Sequence, residues 1–493
     1  MKKYLKRLLV CLLALSFLLP IGGNTDVARA SNKPIAPKYI FLFIGDGMSY
    51  PQFQAASDYL GAVNNSGVIA SEPLSFMKFP VSGTVQTFDS TSFCPDSAST
   101  ATSLATGNKT NSGTINMDTT MTEAYVTIAE KLKQQLGYKI GILSTVNLNH
   151  ATPAAFYAHQ TSRNNYYEIG LELVQSGFDY FAGGALINPT GKAKDQKDLY
   201  QIAQESGYKV VRTQSDAKEL TAKDGKAIVI AETLADSDAM PYAIDAAPEE
   251  WQLADYVSKG IEVLNNKKGF FMMVEGGKID WAGHANDAAS VINDTIAMSK
   301  AVDKAIAFYR KHPKETLILV TGDHETGGFS IGYAGTGYNT YLSNISKQKI
   351  SYAKFDTQYV TAYKKEQTDF MTVLKDIENN FGLVSSLNKT AATPASLILT
   401  DSEYLQLQEA YALTLKENKT LSAEDAIKYG GYEPLTVTTT HILARKSGLD
   451  FASFSHTGLP EAIFAIGNGA DAFKGYYDNT QVYTKLAKLT AIK

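Results

Sequence analysis

The sequence predicts an α/β fold in which a mainly parallel central sheet is flanked by helices on both faces and carries an inserted α-rich segment. Three observations predict it. Short β-rich runs recur along the chain, each followed by Gly or acidic residues and then by a helix-like stretch. The 493 residues are 44% apolar and 11% aromatic, enough to bury a large core and to exclude a disordered chain. Between His324 and His456 the strand pattern stops and helical spacing replaces it, which marks residues of roughly 335–430 as the insertion.

The chain opens on a targeting segment. Lys2, Lys3, Lys6 and Arg7 precede an apolar run from Leu8 to Ile21, and Ala28-Arg29-Ala30 offers small residues at the two positions a signal peptidase reads. The apolar run is shorter than the roughly 20 residues a membrane-spanning helix needs, and no later stretch is long and uncharged enough. The expectation is a signal peptide over residues 1–30 cleaved near Ala30, and an exported mature chain, secreted or periplasmic, with no membrane anchor. Cleavage changes the formal charge from −4 to −8, because 41 basic groups then face 49 acidic ones. A chain this acidic has no basic field with which to grip nucleic acid. Cys11 lies in the signal, so the mature chain keeps Cys94 alone and forms no internal disulfide.

The clearest strands are Tyr39 to Ile44, Lys139 to Ser144, Phe270 to Val274, Leu317 to Thr321 and Ala462 to Ile466. Ligands of such sheets collect beyond the carboxyl ends of the strands. Asp46 follows the first strand within Gly45-Asp46-Gly47, and Asn149-His150-Ala151-Thr152-Pro153 follows the second. Glu275 follows the third, and Asp323-His324 the fourth. Crowded carboxylates repel one another unless cations lie between them, so this edge points to metal binding.

The insertion is Tyr- and Lys-rich around Tyr338 to Lys365 and then helical. Helices are expected over Gln367 to Asn380, over about Asp401 to Leu415 with Thr400 and Glu403 spaced as a capping box, and near Ala423 to Tyr429. No repeat or low-complexity linker sets it apart, so residues 31–493 read as one domain.

Pro95 and Asp96 suit a helix entrance, which puts Ser97 at a helix amino terminus. Free backbone NH groups there favour an alkoxide or a phosphoryl group. Taken alone, this segment reads better as a Ser/Thr-rich structural helix with a capping aspartate. Asp280 and His284 lie four apart and can meet one cation from a single helical face, yet that spacing is common. Asp323-His324 alone is a polar turn and His456 alone a loop histidine. Of seven histidines, His150, His284, His324 and His456 fall near strand ends or among polar candidates. His159, with no acidic neighbour, His312, before a proline at a helix end, and His441, in a Thr-rich and then apolar run, read as structural.

Together, Ile44-Gly45-Asp46-Gly47-Met48, Pro95-Asp96-Ser97-Ala98, Ala151-Thr152-Pro153-Ala154-Ala155, Val274-Glu275-Gly276, Asp280 with His284, Thr321-Gly322-Asp323-His324 and His456-Thr457-Gly458 occur in the order seen in alkaline phosphatases. The chain resembles that family from about residue 38 to 470, apart from the insertion. The resemblance implies a broad-specificity phosphomonoesterase with two zinc ions and one magnesium. Asp280, His284 and His456 would hold one zinc; Asp46, Asp323 and His324 would hold the other. Asp46 would also bridge to magnesium held with Thr152 and Glu275. Ser97 would be the nucleophile that becomes phosphoserine, and Arg163, in Thr161-Ser162-Arg163, would clamp the phosphate through its planar fork. Without that motif Arg163 reads as a surface helix arginine. The family is often dimeric, which leaves a homodimer open.

Two positions depart from the best-known bacterial pattern. His150 stands where that pattern has an aspartate and Trp281 where it has a lysine, both on the substrate side. An imidazole adds no negative charge near magnesium, and an indole supplies no cation for a water-mediated phosphate contact. The expectation is an easily lost magnesium and weaker retention of product phosphate. A sulfatase of similar architecture is excluded, because Cys94 is followed at once by Pro95 and Ala98 stands where its arginine belongs. A phosphodiesterase stays open, to be separated by comparing a monoester with its diester. A non-enzymatic store for metal or phosphate is disfavoured by Ser97.

Overall fold

The computed structural model describes residues 36–416 and 422–493. The expected signal peptide and its cleavage point lie outside the described residues. The sheet has ten strands: β1 (Tyr39–Gly45), β2 (Val81–Gln86), β3 (Lys139–Asn147), β4 (Tyr180–Gly184), β5 (Tyr208–Val211), β6 (Lys226–Ile230), β7 (Phe270–Glu275), β8 (Thr316–Gly322), β13 (Glu461–Gly467) and β14 (Gly475–Asp478). Four short strands stand apart from it: β9 (Glu325–Thr326), β10 (Phe329–Ile331), β11 (Leu449–Phe451) and β12 (His456–Thr457).

The strand order is β14-β2-β13-β8-β1-β7-β3-β4-β6-β5. All pairs are parallel except those β13 makes with β8 and β2, so the sheet is mainly parallel as expected. All seven residues of β1 are buried. Tyr39, Phe41 and Phe43 enter one core and Ile40, Leu42 and Ile44 the other, which is why the strand reads as an unbroken apolar run. One core is closed by helices Tyr50–Asn64, Leu253–Leu264 and Ala288–Lys311, the other by Ser97–Thr106 and Thr480–Thr490. Helices thus cover both faces.

The five strands read from sequence are present, each extended at one or both ends. Strands β2, β4, β5, β6 and β14 were not foreseen. In β4 the backbone passes so close to β3 that a Cβ on Gly183 would lie 1.9 Å from the Ser144 carbonyl oxygen. The residue that permits this contact also weakens the strand's signature.

Strands β10 and β11 pair antiparallel, Phe329 with Phe451 and Ile331 with Leu449, and so bring together the two ends of the helical stretch between them. Within it the helix expected over Gln367 to Asn380 begins later. Gln367 adopts a left-handed conformation that ends helix Thr361–Glu366, and Asp369 caps a new helix, Phe370–Phe381. Helix Asp401–Thr414 carries the expected Thr400/Glu403 box, and Ala423–Tyr429 is helical. Among the described residues no helix is long and apolar enough to cross a membrane.

Candidate active site

Register builds the floor of the site. Ile44 on β1 pairs with Glu275 on β7 and with Thr321 on β8, so three neighbouring strands end at one level. Asp46, Glu275, Asp323 and His324 therefore arrive side by side, all within 1% of complete burial. Gly47 turns the chain directly beneath Asp280: its φ is +71°, and a Cβ there would lie 2.9 Å from Asp280 Cα. Strands β9 and β12 pair Thr326 with His456, which carries that histidine in from the far end of the chain. The rings of His324 and His456 stack with centroids 3.7 Å apart.

The wall is helix Ser97–Thr106. Its Ser, Ala and Thr side chains are all buried, small enough for the helix to lie close to its neighbours. Asp96 is the N-cap, its Oδ1 accepting from Ser99 N–H at 3.1 Å. Ser97 Oγ lies 3.1 Å from His324 Nε2 and 3.4 Å from Asp46 Oδ1. Arg163 donates through Nη1 to Asp96 Oδ2 at 2.8 Å, and its Nη2 lies 3.2 Å from His150 Nε2. Burial pushes the Asp96 carboxyl up, but Arg163 and two backbone N–H groups outweigh it and hold it below the usual range.

Among the described residues three clusters have ligand atoms within 4.8 Å of one another: Asp46/Asp323/His324, Asp280/His324/His456 and Asp46/His150/Glu275. The first is one expected set. In the second, His324 occupies the place expected of His284, whose Nε2 is nonetheless 3.0 Å from His456 Nε2 and 3.4 Å from Asp280 Oδ1. In the third, His150 joins the carboxylates, while Thr152 Oγ1 donates to Asp46 Oδ2 at 3.3 Å. With Trp281, whose ring centre lies 6.0 Å from that of His150, all twelve sequence-derived residues come together.

The electrostatics ask for cations. Burial, then the Asp323, Asp280 and Glu275 charges, push Asp46 far up; burial and Asp280 push Asp323 to about 7, and burial pushes Glu275 to about 7. Burial would also raise Asp280, but His284 and His456 hold it well below its ordinary value. Burial, with Arg163 beside it, pushes His150 down to about 3, a neutral ring. Glu275 Oε1 and His150 Nδ1 are buried with no hydrogen-bond partner. Mixed carboxylate and imidazole sets suit zinc, and the carboxylate-rich corner with a threonine hydroxyl suits magnesium. The residues therefore fit the expected ions. Supporting bonds aim them: His284 Nδ1 meets the Phe454 carbonyl and His456 Nδ1 the Pro95 carbonyl, each at 2.6 Å, which turns both Nε2 atoms inward.

Above this floor lies a cavity of about 470 Å³, lined by Ser97, Arg163, His150 and Trp281 and also by Asp236, Tyr352 and Tyr432. Sequence reasoning missed these last three, and it saw Asp96 only as a cap. Nothing in the sequence signalled the second bond of Asp96 or the place of Asp236 and the tyrosines. A larger cavity of about 820 Å³, bordered by His441 and Arg445, shares none of this lining. His312 packs on Tyr39 and Phe308, and His441 lies 2.9 Å from Asn286 Oδ1, both outside the cavity. His159 also lies outside the cavity lining, as a structural residue does, but it has acidic neighbours in the fold. Glu130 and Glu172, remote in sequence, flank its ring at 3.4 and 3.1 Å.

Comparison with known proteins gives a consistent answer. A family model described as alkaline phosphatase matches residues 37–179 and 179–492. Alkaline phosphatase 3 of Bacillus subtilis (strain 168) is 30% identical over 504 residues, covering 99% of this chain and 98% of that protein. The cold-active alkaline phosphatase of the psychrophile Shewanella sp. superposes with a TM-score of 0.74 at 27% identity, over 92% of this chain and 99% of that one. A histidine-to-aspartate variant of the TAB5 alkaline phosphatase, solved with magnesium bound, gives 0.61 at 25% identity over 93% and 99%.

Proposed function

The chain belongs to the alkaline phosphatase family and is a phosphatase, and we propose that it hydrolyses phosphate monoesters through a covalent phosphate on Ser97, with two zinc ions and one magnesium, after export and loss of residues 1–30. One observation carries the reading: Ser97 Oγ stands at a helix amino terminus, among His324 and Asp46, and opens into the cavity that Arg163 also lines.

Asp280, His284 and His456 would hold one zinc; Asp46, Asp323 and His324 the other; Asp46, Thr152 and Glu275 magnesium. Bound there, such ions lower the pKa of hydroxyl and water and neutralise charge on oxygen. Arg163, fixed by Asp96, offers its fork to two non-bridging phosphate oxygens. The helix amino terminus behind Ser97 faces the same charge. Ser97 Oγ attacks phosphorus, the bond to the alcohol oxygen breaks on the opposite side, and the alcohol leaves with a proton. Water then attacks the phosphoserine, the Oγ–P bond breaks, and inorganic phosphate departs while Ser97 regains its hydrogen. His150, neutral beside Arg163, adds no charge to the magnesium corner.

Turnover of a chromogenic phosphomonoester should cease on chelation and return with zinc and magnesium. Ser97→Ala should keep its metals and form no acid-stable labelled phosphoprotein. A covalent adduct persisting in that variant refutes Ser97 as the nucleophile.

A further inference from the structure

Ser97, Arg163 and the ligand clusters account for the phosphate end of the cavity and leave its outer wall unexplained. That wall is built from Trp281, Asp236, Tyr352 and Tyr432. Trp281 lies on helix Lys278–His284, Asp236 in the turn Asp236–Asp238, and the tyrosines in the stretch between β10 and β11. Tyr352 and Tyr432 meet edge to face at 5.9 Å, and Tyr432 stacks on Phe454.

One buried cation organises this wall. Lys278 has no exposed side-chain surface, donates to Asp236 Oδ1 at 2.6 Å, and sets its ammonium 3.8 Å from the Tyr242 ring centre and 4.6 Å from that of Trp281. A buried ammonium persists only where a carboxylate and aromatic faces replace its water. Here the replacement fixes both the indole and the carboxylate. Tyr242 Oη then donates to Tyr352 Oη at 3.1 Å, linking a third member. Asp236 keeps 24% side-chain exposure, and its Oδ2 makes no hydrogen bond among the described residues.

Three aromatic side chains and one anchored carboxylate with a free oxygen recognise a ring that bears a donor. An anion placed there would meet Asp236 head on. We propose that this wall is the subsite for the departing alcohol, and that it selects aryl phosphomonoesters carrying an ammonium or similar donor over those carrying a second anion. The proposal rests on the hydrolytic reading above.

The test uses the zinc- and magnesium-loaded enzyme at low ionic strength, with phenyl phosphate, 4-(aminomethyl)phenyl phosphate and 4-(carboxymethyl)phenyl phosphate. A methylene insulates each charge from the ring, so the two substituted alcohols depart with similar ease. The aminomethyl ester should exceed the carboxymethyl ester in kcat/KM by about 3- to 30-fold, the range of a charge-assisted contact at a partly exposed site. The difference should lie mainly in KM and shrink in 0.5 M salt. Asp236→Asn should bring the ratio toward one, and Asp236→Asn with Lys278→Met, which removes both charges, should do the same. An equal or reversed preference in the wild type overturns the proposal, as does a ratio unchanged in a variant that melts normally. If neither variant folds, a wild-type preference insensitive to salt overturns it. Absence of turnover with all three esters would instead sink the hydrolytic reading.

Discussion

Asp96 divides its two oxygens between two tasks, one capping the helix behind Ser97 and one pinning Arg163. Its residue type was legible as a cap because Ser, Thr, Asp and Asn favour that position; its bond to Arg163 depended on a loop folding back. His150 places an uncharged ring beside two buried carboxylates. Its neutral ring stands where a carboxylate would add charge to the Asp46/Glu275 corner. His150→Asp should tighten magnesium by on the order of tenfold, since a unit charge a few ångströms from a dication is strongly attractive even when well screened. It should also alter inhibition by inorganic phosphate. Magnesium titration of zinc-loaded protein, with the phosphate inhibition constant, checks this; no change in either removes the electrostatic account of His150.

Helices and strands differ in how much of them the sequence disclosed. Strands β1, β7 and β8 are buried on both faces and read as apolar runs, and β3 does so over Ile140 to Leu143. Strand β2, Val-Ser-Gly-Thr-Val-Gln, and β4, which ends in two glycines, lack that signature. Asp46, Glu275, Asp323 and His324 were readable because each lies at or just beyond the end of a clear strand, whereas Arg163, His284 and His456 were readable only through the ordered set of motifs. Lys278, Asp236, Tyr352 and Tyr432 were not, because only three-dimensional folding makes them neighbours. His159 belongs to the same class: it joins Glu130, on the short helix Ile128–Lys131, to Glu172, on helix Tyr166–Gln175. Burial pulls its pKa down, but both glutamates outweigh burial and hold it up at about 9. A raised histidine stabilises fully below the unfolded value near 6.5 and ceases to do so as pH climbs through 9. His159→Gln should therefore lower stability by on the order of 2 kcal/mol at pH 6 and by little at pH 10. Urea midpoints across that range decide it; a constant difference would show that the ion pairs contribute nothing.

For the whole molecule, the central question is how four interior carboxylates coexist. Without cations, Asp323 and Glu275 titrate near 7 and Asp46 is held well above its ordinary value. Acids raised in this way favour the fold below about 4 and progressively cease to favour it as pH rises through 7. Chelation should therefore lower the melting temperature little at pH 5.5 and substantially at pH 8.5, by several degrees or more. Equal shifts at both values, read by calorimetry, would mean that the bound ions are not what neutralises this cluster.

The pairing of β1 has a further consequence in time. Tyr39 pairs with Phe270 and Thr316, and His456 closes the site from near the carboxyl terminus. A polypeptide that stops short of His456 cannot assemble the centre, because segments more than 400 residues apart must meet. A chain still on the ribosome whose His456 has not yet emerged is thus inert toward the phosphate esters around it, and hydrolytic power switches on only once that late segment reaches β9.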